Sequence, residues 1–325
     1  MSVLIEKFRQ KCIHKPKRIV FTDTKDVNVL LAARYLFDEK LAFPVLLGTP
    51  SEIRDFAEQA GLHTRGLRIQ HPMHTDRYDL MIKDLHNLGQ WHGMTRFDAE
   101  EKLRQPLTMG AMLVRHKQAD VCISGNLSTA ENVLRTAISI LGNKENSETV
   151  SGYFLMVSPD KDKLYAFADC TVIPVPSSNQ LAEIAVTTAE NYKSITGFEP
   201  RVAMLSFSTN KSSDHDMAQK VRKAVQTVKD SHPSLILDGE VQFDAAIDCN
   251  IMKKKAPECR LEGKANVFIF PSLHAGNIAY QIARHLAGYQ AIGPLLQGLD
   301  GNMHYIPGNS SAEDMINLAL IASCL

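Results

Sequence analysis

Residues 270–299 read FPSLHAGNIAYQIARHLAGYQAIGPLLQGL, and they follow directly on the apolar run ANVFIF, residues 265–270. That run has the length and the β-branched and aromatic content of a buried strand, and Pro271 ends it. SLHAGN then reads as a loop. In IAYQIARHLAG, residues Ile278, Ile282, Ala283 and Leu286 fall on one face of a helix, and Gly288 is positioned to end it. A strand, a glycine-containing turn and a helix N-terminus form a geometry that presents backbone N–H groups to an anion, which makes Gly276 and Asn277 candidate ligand contacts. The same pattern also fits an ordinary strand–helix connection in an α/β protein.

Outward from this stretch the alternation continues. RIVFTD and FPVLLG read as strands, DVNVLLAARYLFDEK and SEIRDFAEQAG as amphipathic helices, and HTRGLRIQHP as a further strand before the helical residues 76–117. Strands alternating with helices imply a mainly parallel sheet covered on both faces. ADVCISGN is a buried strand ending at Gly125 and Asn126, and STAENVLRTAISILG is a helix capped by Ser128 or Thr129. Ligands of open α/β sheets lie beyond the C-terminal ends of the strands, so Gly125, Asn126, Ser128, Thr129 and Arg135 are positional candidates for binding. Arg135 equally suits a solvated helix face.

NKENSETVSG, residues 143–152, is polar and carries a glycine, and it reads as a linker. Beyond it, YFLMVSPDKDKLYAFADC suggests an antiparallel hairpin. VPSSNQLAEIAVTTAENYKSI and DMAQKVRKAVQTVKD are helical, RVAMLSFS is a strand, and SLILDGEVQFDAAID completes a second α/β layer.

A chain of 325 residues exceeds the size at which one core usually keeps growing, so two domains are expected. Lys and Arg total 36 and Asp and Glu total 36, which leaves no basic footprint for a nucleic-acid partner. No apolar run is long enough to span a bilayer and the N-terminal stretch lacks a signal-peptide core, so a cytoplasmic protein without a membrane partner is expected. The 6 cysteines lack CxxC or Cys/His spacing, and neither a metal site nor a disulfide framework is indicated.

FPSLHAGNIAYQIARHL, GPLLQGL, DGEVQFDAA, IVFTDTKDVNVLLAARYL, ADVCISGNLSTAENVLRTAI, YAFADCTVIPVPSSNQLAEIAV and RVAMLSFSTNKS together resemble the phosphate acetyl/butyryl transferase family, nearest to the phosphotransacetylases of the ethanolamine-utilisation branch. The resemblance implies an α/β fold of two three-layer domains with a cleft between them, like isocitrate and isopropylmalate dehydrogenases. It implies a discontinuous first domain, residues 1–146 and 292–325, with residues 147–291 inserted as the second. Members are commonly homodimers. They interconvert acetyl-CoA and phosphate with acetyl phosphate and CoA. Coenzyme A is therefore a substrate, and no permanently bound cofactor is implied.

The family's LR pair matches Arg135, which the resemblance assigns to coenzyme A or phosphate. The family's acidic position in its SRGCSxED motif matches Asp314 in PGNSSAED. A thiol must be deprotonated before it attacks an acyl carbon, so a carboxylate there can serve as base. By spacing alone, Ser310 or Ser311 followed by Glu313 and Asp314 is also a good helix-start signature. The chain departs from the family at Pro307 and Gly308, which stand where a serine and an arginine are expected. If the enzyme works as its relatives do, Asn309, Ser310 and Ser311 are the substitute donors. The alternatives are a phosphate acyltransferase for propionyl or butyryl groups, or a coenzyme A-binding or assembly protein that has lost turnover.

Overall fold

The computed structural model describes residues 3–90, 93–145, 147–161, 163–308 and 310–325. The chain divides into two compact units, Met1–Glu145 with Leu299–Leu325, and Asn146–Gly298.

The first unit runs α1 (Val3–His14), β1 (Lys17–Phe21), α2 (Val27–Asp38), β2 (Ala42–Leu47), α3 (Pro50–Gln59), β3 (Arg68–Gln70), α4 (Tyr78–Gly89), α5 (Arg96–Leu103), α6 (Pro106–Arg115), β4 (Val121–Ser124) and α7 (Ala130–Leu141). The runs read as strands in the sequence supply β1 to β4, and every residue of β4 is buried. Asp26 caps α2 by accepting from the Val29 N–H, and Thr129 caps α7 through the Asn132 N–H.

The second unit contains β5 (Ser151–Val157), β6 (Leu164–Ala168), α8 (Ser178–Thr196), β7 (Arg201–Leu205), α9 (Asp216–Ser231), β8 (Ile236–Val241), α10 (Phe243–Ile247), α11 (Cys249–Lys255), β9 (Val267–Ile269), α12 (Leu273–His285) and β10 (Gln290–Gln297). The chain then returns to the first unit as β11 (Met303–Tyr305) and α13 (Ala312–Ala322).

The first unit's sheet is parallel, in the order β11-β4-β1-β2-β3. The second is mixed, in the order β10-β5-β6-β9-β7-β8, and the expected hairpin forms its antiparallel β5–β6 pair. Because β11 lies beside β4, the C-terminal ends of β1, β4 and β11 meet at one edge.

Three expectations change. The return to the first unit comes after Gly298 and not at residue 292, because β10 continues its antiparallel pairing with β5 through Gln297↔Ser151. The Gln297 amide also donates to Ser151 Oγ at 2.9 Å and Thr188 Oγ1 at 2.8 Å, which holds that segment in the second unit. The linker expected over 143–152 is shorter, since β5 already begins at Ser151.

The third change concerns SLHAGN, which is not a loop. Ser272 caps α12, so His274, Ala275, Gly276 and Asn277 form its first turns. The apolar face also differs. Ile278, Ile282 and Leu286 point outward, at 57%, 52% and 83% exposure. The helix instead buries Gly276 and Tyr280, with Ala275, Ala279 and Ala283 partly buried against the core. Small residues win this contest because they allow close approach. A Cβ on Gly276 would lie 2.2 Å from the Asp169 carbonyl oxygen, and Tyr280 stacks on Phe154 with ring centroids 4.3 Å apart.

Candidate active site

The polar residues at the ends of β1, β4 and β11 form one network. Asp23, two residues past β1, takes the turn after β4 in its carboxylate. Oδ2 accepts the N–H groups of Gly125 at 2.6 Å, Ser128 at 3.2 Å and Leu127 at 3.3 Å, while Oδ1 accepts the Ser128 hydroxyl at 2.7 Å. The backbone donors of this turn, a positional binding candidate in the sequence, are thus engaged by the protein's own carboxylate. Gly125 is required here: its φ is +122° and a Cβ would meet the Ile306 carbonyl oxygen at 2.5 Å. Thr22 Oγ1 donates to Ser124 Oγ at 2.7 Å beneath the turn.

Asn126 links this turn to the approach to α13. Its Nδ2 donates to Asp26 Oδ2 at 2.7 Å, and its Oδ1 accepts the Ser310 N–H at 3.2 Å. The chain from β11 is joined to the same turn at its other end, where the Ile306 N–H donates to the Ser124 carbonyl at 2.7 Å. Within the loop, the Ser310 hydroxyl donates to the Pro307 carbonyl at 2.6 Å. Ser311 and Asp314 form a reciprocal capping box: Asp314 N–H donates to Ser311 Oγ at 3.1 Å, and Asp314 Oδ2 accepts from Ser311 N and Oγ at 3.2 and 3.0 Å. Asp314 therefore does the work of a helix cap, and Ser310 and Ser311 have their hydroxyl hydrogens committed within the loop. Asn309 lies outside the described residues. Gly308 is unobstructed, since a Cβ built on it would find its nearest neighbour, the Asn126 carbonyl oxygen, at 3.7 Å.

Of the residues proposed from the sequence, the fold joins Gly125, Asn126, Ser128, Ser310, Ser311 and Asp314 in one hydrogen-bonded network at one sheet edge. Asp23 and Asp26 belong to the same network without having been singled out from the sequence, because their partners lie about a hundred residues away. Their signal was an acidic residue just beyond a strand and a second at a helix N-cap.

Thr129 serves as the α7 cap. Arg135 is further along α7, 66% exposed in its side chain, with Nη2 2.6 Å from Asn132 Oδ1 and 3.5 Å from Glu131 Oε1. It lines a cleft of ≈ 510 Å³ together with Leu85, Met94, Lys102, Leu107 and Ile140. A second cleft of ≈ 350 Å³ opens at Asp23 and is lined by Thr22, Lys25, His71, Arg104 and Leu127. Gly276 and Asn277 belong to the second unit. There Asn277 Nδ2 donates to the Cys170 carbonyl at 3.2 Å, so both residues have packing roles at the end of β6. Among the described residues no group of His, Cys, Asp and Glu could hold a metal ion, and no helix is long and apolar enough to cross a membrane.

The sequence matches the family model described as phosphate acetyl/butaryl transferase over residues 3–323. It is 37% identical over 323 residues to the phosphate acetyltransferase of Bacillus subtilis, covering 99% of both chains. Among solved structures it is similar to a phosphotransacetylase from Streptococcus pyogenes, with a TM-score of 0.93 and 37% identity over 100% of this chain and 98% of the other. It is also similar to the EutD phosphotransacetylase from Staphylococcus aureus, with a TM-score of 0.90 and 36% identity over 99% of this chain and 98% of that one. With a match that runs almost from end to end, and with both α/β units included in it, the chain belongs to the phosphate acetyl/butyryl transferase family.

Proposed function

We propose that this protein is a cytoplasmic phosphate acetyltransferase that interconverts acetyl-CoA and phosphate with acetyl phosphate and coenzyme A. The observation that carries the reading is the loop holding Ser310, Ser311 and Asp314, joined through Asn126 to the C-terminal edge of a parallel sheet in a chain of this family. That edge is where open α/β sheets bind ligands.

In the direction of thioester synthesis, Asp314 takes the proton of the coenzyme A thiol. The thiolate attacks the acetyl carbon of acetyl phosphate, and the tetrahedral intermediate collapses with phosphate as leaving group. A base is useful because a thiol with a pKa near 8.5 is only about a few per cent ionised at neutral pH. Ser310, Ser311 and Asn309 supply donors to the developing oxyanion, the two serines by exchanging their internal acceptors for substrate oxygen. Arg135 contributes positive charge for the phosphates of coenzyme A. The family expectation of a homodimer is supported by the exposed apolar row on α12.

A coupled assay for acetyl-CoA formation from acetyl phosphate and coenzyme A tests the reading. Asp314→Asn retains an oxygen able to accept from Ser311, so the cap persists while the base is lost. Turnover should fall about a hundredfold or more at nearly unchanged melting temperature. Full turnover in this variant, or none in the native protein, would overturn the assignment.

A further inference from the structure

We propose that Asn126 is a positioning residue for the reaction, acting as one half of an Asp26–Asn126 pair that fixes the loop leading to Asp314. The proposal rests on the reading of Asp314 as base. Within the turn after β4, the Asn126 side chain bonds in two directions. Its Nδ2 donates to Asp26 Oδ2 at 2.7 Å, and its Oδ1 accepts the Ser310 backbone N–H at 3.2 Å.

The polarity of this bridge is determined at both ends. A backbone N–H can only donate, so the atom of residue 126 that faces Ser310 must be an oxygen. Asp26 is an acceptor on the other side, with Oδ1 taken by the Val29 N–H at 3.1 Å, so the atom that faces it must be a donor. A carboxamide meets both demands. The bridge reaches 184 positions along the chain, from the turn to Ser310. Ser310 adjoins Ser311, which is bonded to Asp314.

The loop is thereby held at two places, by Ile306 N–H on the Ser124 carbonyl and by Ser310 N–H on Asn126. Between them Gly308 contributes no side-chain anchor. Asp26, as the α2 cap, is fixed to a helix N-terminus and supplies a rigid footing. The consequence is that Asn126 fixes the entry into α13 and with it the place of Asp314 in the first turn, and its effect should appear in turnover more than in substrate affinity.

The pair can be exchanged. Asn126→Asp sets a carboxylate against that of Asp26 and removes the donor. Adding Asp26→Asn restores a donor facing residue 126, while the oxygen of the new carboxamide still accepts from the Val29 N–H. Steady-state kinetics on native protein, Asn126→Asp, Asn126→Ala, Asp26→Asn with Asn126→Asp, and Asp314→Asn form the test, each corrected for folded fraction. Both single changes at Asn126 should lower kcat about ten- to hundredfold with KM for coenzyme A within about twofold, and the exchanged pair should recover most of it.

Native kcat in Asn126→Ala, or recovery of melting temperature without recovery of kcat in the exchanged pair, would overturn the proposal while leaving the function intact. Native kcat in Asp314→Asn would instead overturn the assignment of the base and the positioning role with it. Asn126→Ala carries no repulsion, so it keeps the test decisive if Asn126→Asp fails to fold.

Discussion

Gly308 has room for a side chain, and that changes what its presence means. In an ungapped reading of the family motif, Pro307 and Gly308 stand where a serine and an arginine belong. A Cβ at position 308 would meet no atom closer than the Asn126 carbonyl oxygen at 3.7 Å, an ordinary contact. The bonds that Pro307 receives from Ser310 end on its backbone carbonyl and survive replacement of its ring. Substituting Pro307→Ser with Gly308→Arg should therefore leave the loop intact and add a charged donor to the loop that the proposed mechanism sets against the acyl phosphate. The expected outcome is a rise in acetyl transfer of about ten- to thousandfold, the scale of restoring an electrostatic partner in the transition state. Steady-state rates in both directions check it, and an unchanged or lower rate would mean that this chain already supplies the charge from elsewhere.

At the scale of elements, β11 joins short-range legibility to a pH dependence. His304 lies buried in the middle of this strand, and burial pushes its imidazole pKa down to about 3. The unfolded chain binds a proton near pH 6.5 that the folded chain refuses until far lower pH. The associated stability is thus fully present above about pH 6.5 and declines as the pH falls toward 3, by up to about 1.4 kcal/mol per pH unit. Urea unfolding between about pH 7.5 and 4.5 should show this slope, and His304→Gln should flatten it; equal slopes would assign acid sensitivity to other groups. Strands and helices such as β4 and α7 were legible because their signals are local runs and caps. The buried face of α12 was not. Periodicity finds Ile278, Ile282 and Leu286 on one side of that helix, but it cannot weigh them against Gly276, whose close fit to the Asp169 carbonyl exists only once β6 is in place. The same holds for Asp23, which reads as a polar residue after a strand until the turn over residues 125–128 arrives on it.

For the whole molecule, the count of two α/β units followed from length and alternation, whereas the return to the first unit could be fixed only by the pairing of β10 with β5. What the fold leaves uncovered then bears on assembly. Ile278 and Ile282 on successive turns of α12 and Leu286 just past its C-terminal end form a row, each more than half exposed. Fully burying side chains of this kind is worth about 1.5–3 kcal/mol each, and a straight row on one helix is self-complementary across a two-fold axis. With 36 basic and 36 acidic residues, no net charge opposes the meeting of two copies. The protein should sediment as a dimer at micromolar concentration. Ile282→Glu places a carboxylate in the centre of the row without touching the buried face formed by Gly276 and Tyr280, so it should shift the population to monomer while the far-ultraviolet circular dichroism stays native. A native protein that sediments as a monomer, or a dimer indifferent to Ile282→Glu, would remove α12 from the interface.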